Sequence, residues 1–320
     1  MFVAIRNCTR IAVFAVAASL AASSAFAQDK PALSKDVIRL GVGVDPAFST
    51  IYYAKQQKLF EKHGVNVQVM QYTQGADGID AMIAGQAELS TAAESTVMIR
   101  ATRADIRALG VYSWQTAYIR FVVRKGIDDV TQVKKFGIVP GSVSELTTVL
   151  LLEKFKIDEK SVTFVRGGPP EFPALLARGD VDGYFMWEPW PSNGVKQGGK
   201  ILFGSSDVGY TATMWIAATA TWIEKHPAEG KAVMAALAQA NDEIRADRSK
   251  AAAATQAEIK IPAAQAAELL TSVGFQVRDF TDEDIATYRR IAEFQISRNV
   301  TKTKADVDKI LMKGFVKDLK

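Results

Sequence analysis

Residues 179–190 read GDVDGYFMWEPW, a short apolar run of strand length that ends on Trp187, Glu188, Pro189 and Trp190. A strand buried in a core has no use for a carboxylate and two indoles at its tip unless that tip faces a cavity. In parallel α/β sheets, ligands bind outside the carboxyl ends of the strands, where loops run into helix N-termini. The stretch therefore predicts the last strand of a parallel series whose end opens on a cleft.

Working outward, the residues before it form an ordered series: a strand at 137–139, a Gly/Ser loop, a helix at 146–155, strands at 161–165 and 181–186, and between them a helix at 172–178. An earlier series runs in the same order. Residues 37–44 are β-branched and alternating, 48–62 have helical spacing through Ile51, Ala54, Leu59 and Phe60, and 65–70 alternate again. A short helix at 79–83 and a strand at 88–91 complete it. Gly85 stands three residues before Glu88 and nine before Glu94, and Gly179 stands three before Asp182 and nine before Glu188. Shared order and shared spacings imply two similar α/β lobes that face each other across a cleft.

The chain opens MFVAIRNCTRIAVFAVAASLAASSAFAQ, with Arg6 and Arg10 ahead of an apolar run and Ala25-Phe26-Ala27 before Gln28. This is the layout of a secretory signal peptide cleaved after residue 27, which implies a soluble, periplasmic protein. Its removal takes away the one cysteine, Cys8, and with it disulfides, thiolate metal ligands and thiol nucleophiles. It also takes two of the 39 basic residues and no acid, leaving 37 against 35 acids and no charge footprint for nucleic acid. No metal-binding motif, phosphate loop or dinucleotide fingerprint occurs, so no metal and no cofactor is expected. About 290 remaining residues exceed one ordinary core, which again favours two lobes.

LFEKHGVNVQVM, AMIAGQAELSTAAES, the loop at Gly141 and Ser142, and above all ARGDVDGYFMWEPW together resemble the periplasmic substrate-binding proteins of ABC importers for nitrate, sulfonates and taurine. The similarity runs from Ile38 to about Pro227. It implies the type II periplasmic-binding fold: two similar α/β lobes joined by two hinge strands, with the ligand cleft between them. The expected division is 28–120 for the first part of lobe I, 121–219 for an inserted lobe II, and 220–320 for the completion of lobe I with C-terminal helices. YIRFVV at 118–123 and TMWIAAT at 213–219 suit hinge strands. The resemblance also implies a monomer that captures a small-molecule ligand by lobe closure and delivers it to an inner-membrane permease. Two departures stand out: the segment before Phe136 is short, and the loop GSVSELTT lacks an aromatic often seen near its start.

Candidate ligand contacts sit on the strand-to-helix loops: Asp45, Phe48, Ser49, Thr73, Gln74, Glu94, Ser95, Tyr112, Trp114, Ser142, Ser144, Glu145, Arg166, Trp187 and Glu188. Free amides at a helix N-terminus with the hydroxyls of Ser142 and Ser144 suit an anionic group, and Arg166 could clamp it. Ser144 could equally be an N-cap and Arg166 the surface partner of Glu171. Glu94 and Glu188 argue for a cationic end, so that a zwitterion such as taurine satisfies both sets. The aromatic walls also fit an aromatic anion or a pyrimidine of the thiamine-precursor type. For Glu188 the structural alternative is a cap or a hinge contact.

Two other classes share the fold. Enzymes on it include desulfinases with a cysteine nucleophile, a residue absent after position 8, and the two histidines, His63 and His226, fall at helix ends. An exported sensor domain would differ only in its partner. The tail reads as helices at 230–259, 262–275, 282–299 and 304–319, with Val307, Ile310, Leu311 and Phe315 on one face, which is expected to pack on the first lobe.

Overall fold

A computed structural model describes residues 36–319. The leader expected at 1–27, with Cys8, lies outside the described residues. Eleven strands are present among the described residues: β1 (Val37–Gly43), β2 (Asn66–Tyr72), β3 (Leu89–Ala93), β4 (Ile106–Gln115), β5 (Arg120–Val123), β6 (Lys135–Ile138), β7 (Thr163–Arg166), β8 (Gly183–Met186), β9 (Lys200–Gly204), β10 (Ala212–Thr219) and β11 (Val273–Arg278). They make two sheets, ordered β11-β4-β10-β3-β1-β2 and β7-β6-β8-β5-β9.

The echo in the sequence is an echo in topology. β1 pairs in parallel with β2 and β3, and β6 does the same with β7 and β8. β3 is then flanked by antiparallel β10, and β8 by antiparallel β5. β10 pairs on with β4, and β5 with β9. The strand beside the parallel trio is thus exchanged: β5 follows the first series in the chain but completes the second sheet, and β10 follows the second series but completes the first. The chain crosses between sheets at 116–119 and again at 205–211.

This corrects one expectation. Residues 213–219, read as a hinge strand closing the inserted lobe, form β10 inside the first sheet, where Met214, Ile216, Ala217 and Ala218 are buried between β3 and β4. The helix expected over 48–62 is interrupted at Lys58, which takes a left-handed conformation (φ 52°), giving Ser49–Gln56 and Leu59–Lys62. The tail also departs from its all-helical reading. Val273–Arg278 is edge strand β11 on β4, and only Val307–Ile310 of the last segment is helical. Val307, Ile310, Leu311 and Phe315 are nonetheless buried against the first lobe, with Leu311 bridging to Ala108.

Repeated small details tie the trios together. Gly85 and Gly179 both adopt positive φ, 75° and 77°, at a helix C-terminus, a conformation that costs glycine little. The acids three residues on both hold the first strand of their trio: Glu88 accepts from the Arg39 N–H at 2.7 Å, Asp182 from the Lys135 N–H at 2.9 Å.

Candidate ligand cleft

β1 ends in Gly43, and an added Cβ there would stand 2.8 Å from the Gly75 nitrogen. At Gly75 a Cβ would stand 2.8 Å from the Thr91 carbonyl oxygen. Glycine at both positions lets the helix Gly75–Ile83 begin tight against the ends of β1 and β3. Its N-cap, Gln74, makes no side-chain cap, so the first amides open on the space beyond the sheet. From the other lobe, β6 leads through Val139 and Pro140 into the helix Val143–Lys154, whose N-cap Ser142 accepts from the Ser144 N–H at 3.1 Å.

Both helix starts line one cleft, with about 140 Å³ of free volume. One water needs about 10–15 Å³ on the same measure, so the space suits a small molecule. Asp45, Phe48, Thr73, Gln74, Gly75 and Ala76 stand on one side, Gly141, Ser142 and Val143 on the other, and Trp187 covers the end of β8. Six of the fifteen expected residues are therefore brought together: Asp45, Phe48, Thr73, Gln74, Ser142 and Trp187.

Asp45 is the one carboxylate in this lining. It is buried, accepts from the Ala47 N–H at 2.7 Å, and takes the Tyr118 hydroxyl on the same oxygen. Burial pushes its carboxyl up to about 7, against the pull of those two donors, and the charge of Glu188 adds to the rise.

The other expected residues do other work. Glu94 is fully buried and spent on β10: it accepts from the Tyr210 hydroxyl, the Thr213 N–H at 2.7 Å and the Thr213 hydroxyl at 3.2 Å. Burial pushes it too up to about 7. Glu188, its counterpart, accepts from the Ser192 N–H at 3.3 Å and faces Arg120 of β5 at 3.6 Å. Each glutamate thus reaches for the exchanged strand beside its own, and neither lines the cleft. The structure does not bring them to the cleft where a ligand's cationic end was expected: a strand-tip residue can turn sideways into the crossing as readily as outward.

Tyr112 is buried and accepts from the Thr91 hydroxyl at 3.0 Å, while Trp114 lies under Arg278 at 5.6 Å, with Gly274 flush against its ring. Ser49 and Ser95 are buried and do not line the cleft. The Ser144 hydroxyl takes the Val139 N–H at 3.3 Å, and Glu145 takes the Gly141 N–H at 2.8 Å, so both hold the loop, and neither lines the cleft. Arg166 lies in a neighbouring opening. Sequence reasoning missed Thr96, Arg100 and Gln115, which do line the cleft. Thr96 and Arg100 are four apart on the helix Glu94–Ala101, a spacing that puts them on one face and could have found them.

The pattern of the family described as NMT1/THI5 like matches residues 45–251. This chain belongs to the NMT1/THI5-like family. Among relatives of this NMT1/THI5-like chain, a Bacillus subtilis (strain 168) protein provisionally named for binding aliphatic sulfonates is 22% identical over 296 residues, covering 88% of each chain. The taurine-binding periplasmic protein of Escherichia coli (strain K12) is 26% identical over 187 residues, 56% of this chain and 58% of its own. Among solved structures, the periplasmic aliphatic sulphonate binding protein SsuA of Escherichia coli superposes with a TM-score of 0.77 at 20% identity, over 87% of this chain and 97% of that one. The two-lobed periplasmic-binding-protein fold is common to both. The desulfurization enzyme DszB also shares it, with a TM-score of 0.67 at 12% identity over 89% and 98% of the two chains.

Proposed function

We propose that this protein is the extracytoplasmic solute-binding component of an ABC importer, and that it captures a small organic anion of the sulfonate class between its lobes. The observation that carries this reading is the convergence of two helix N-termini from opposite lobes on one small cleft, at Gly75–Ala76 and at Ser142–Val143. Helix N-termini concentrate free amides and partial positive charge, and a group held by both rewards closure. The Thr73, Thr96 and Ser142 hydroxyls add donors, and Phe48 and Trp187 supply walls for the organic part. The sulfonate- and taurine-binding names among the relatives support the same class.

One observation favours a narrower reading. Asp45 stands in the same lining, so a ligand with an ammonium group at its far end gains a partner there, as an aminosulfonate would. We place the hinges at the crossings 116–119 and 205–211. The leader at 1–27 supports export to the periplasm and delivery to an inner-membrane permease, with the binding protein acting as a monomer. We read the protein as a binder and not a catalyst. His63 and His226 are engaged with Gln239 and Glu229 and do not line the cleft, and the thiol that the resemblance attaches to the desulfinases is missing after residue 8.

The test is a thermal-shift panel on ligand-free protein: taurine, ethanesulfonate, aromatic sulfonates, nitrate, aromatic carboxylates and pyrimidines. A compound at 100 times its Kd adds about 2.7 kcal/mol, or about 5 °C or more in midpoint. Sulfonates are expected to give that shift. A shift with pyrimidines alone would overturn the reading.

A further inference from the structure

A second opening adjoins the cleft and shares Arg100, Pro140 and Gly141 with it. It has about 330 Å³ of free volume, and its wall carries four guanidinium groups, those of Arg100, Arg103, Arg166 and Arg298. They arrive from separate segments: Arg100 from the helix Glu94–Ala101, Arg103 just after it, Arg166 from the end of β7, and Arg298 from the C-cap of the helix Asp282–Ser297. Such a gathering of like charge is costly unless something answers it.

Acids answer only part. Asp80 alone serves both Arg100 and Arg103, and Glu159 serves Arg298. Glu145, the one carboxylate in the wall, is buried and turned to the Gly141 N–H at 2.8 Å. Arg166 is exposed and has no ion-pair partner among the described residues, since Glu171 accepts from the Gly168 N–H instead. Even counting Glu145, the wall keeps a net positive charge. The guanidinium groups stand on both sides of the seam: Arg100 and Arg103, which share one carboxylate, belong to the first lobe, and Arg166 to the second.

We propose that this opening is a second anion site, for a tetrahedral oxyanion group, and that filling it tightens binding in the neighbouring cleft. Guanidinium forks match the oxygens of such a group, and an anion between Arg166 and the Arg100–Arg103 pair turns repulsion across the seam into attraction. Because the two openings share a wall, whatever draws the lobes together at one favours the other, and the coupling is reciprocal. The group comes either from a free inorganic ion or from the far end of a dianionic ligand that reaches past Arg100. Only the coupling and the second source rest on the sulfonate reading.

The experiment is calorimetric titration of the purified protein at matched ionic strength, with inorganic phosphate first, then ethanesulfonate, then 1,3-propanedisulfonate. The variants are Arg166→Gln and, as control, Arg290→Gln, an exposed arginine outside the opening. Phosphate is expected to bind, to raise ethanesulfonate affinity several-fold, and to lose about tenfold in affinity in Arg166→Gln but not in Arg290→Gln. If the disulfonate instead outbinds ethanesulfonate and loses that advantage in Arg166→Gln, the ligand itself supplies the group. Equal phosphate and disulfonate affinities in Arg166→Gln and the parent, or equal losses in both variants, overturn the site. Phosphate binding that depends on Arg166, with no sulfonate binding at all, would overturn the sulfonate reading and leave this site standing.

Discussion

Asp45 lines the cleft in which we propose that an anion binds, and its own charge opposes such binding. Its carboxyl titrates near 7 because burial disfavours the ionised form more than Tyr118 and Ala47 favour it, with Tyr52, Tyr112 and Glu188 as the other titratable groups in its surroundings. A carboxyl raised from about 3.8 to about 7 by folding holds its proton in the native state and releases it in the unfolded one. Its contribution is fully present below about pH 4 and lost as pH rises through 7. The midpoint should therefore fall from pH 5 to pH 8, and less steeply in Asp45→Asn. Affinity for ethanesulfonate should fall over the same range and become flat in that variant. For taurine the ionised carboxylate is the partner, so its slope should be reversed. An ethanesulfonate profile unchanged by Asp45→Asn would take Asp45 out of the cleft. The sequence made Asp45 a candidate from its place at a strand end, yet gave Glu94 and Glu188 the same standing on the same grounds. Strand-end position says where a side chain starts and nothing about which way it turns, and the partners that turn the glutamates, Thr213 and Arg120, lie 119 and 68 residues away in the chain.

At the scale of the element, the helix Gly75–Ile83 decides whether the first lobe can offer amides to the cleft. Its start is pinned by contact: a methyl at Gly75 meets the Thr91 carbonyl oxygen at 2.8 Å and the Ala92 Cβ at 3.0 Å, both on β3. Gly75→Ala should destabilise by about 1–3 kcal/mol, the usual range for overpacking. It should also weaken sulfonate binding by an order of magnitude or more, since the helix start must back away from the sheet. Denaturant titration and calorimetry on the same variant check both, and an unchanged Kd would mean that these amides do not hold the ligand. Elements such as this one were legible because period and punctuation are local: alternation in 65–70, Gly/Ser before 146–155, and Gly179 after 172–178 all mark real boundaries within a few residues. Strand β11 was not. Its segment, VGFQVR, follows an alanine-rich helix without a strong break, and it becomes extended because β4 offers it an unpaired edge.

For the whole molecule, the exchanged strands β5 and β10 matter more than the likeness of the lobes. β3 and β4 do not touch as neighbours; β10 lies between them, and it is made after the entire second sheet. The first sheet is therefore not complete from a continuous stretch of chain, whereas the second is made of residues 120–204 alone. Because the first sheet closes only through the second, residues 36–319 should unfold in one calorimetric transition, with equal calorimetric and van't Hoff enthalpies, and two resolved peaks would contradict this. A chain of this topology also has a timetable imposed on it. At 5–20 residues per second, the ribosome takes about 5–20 s to produce the roughly one hundred residues between the end of β4 and the end of β10. Throughout that interval the facing edges of β3 and β4 have no partner, and the first sheet closes only when the last crossing has been delivered.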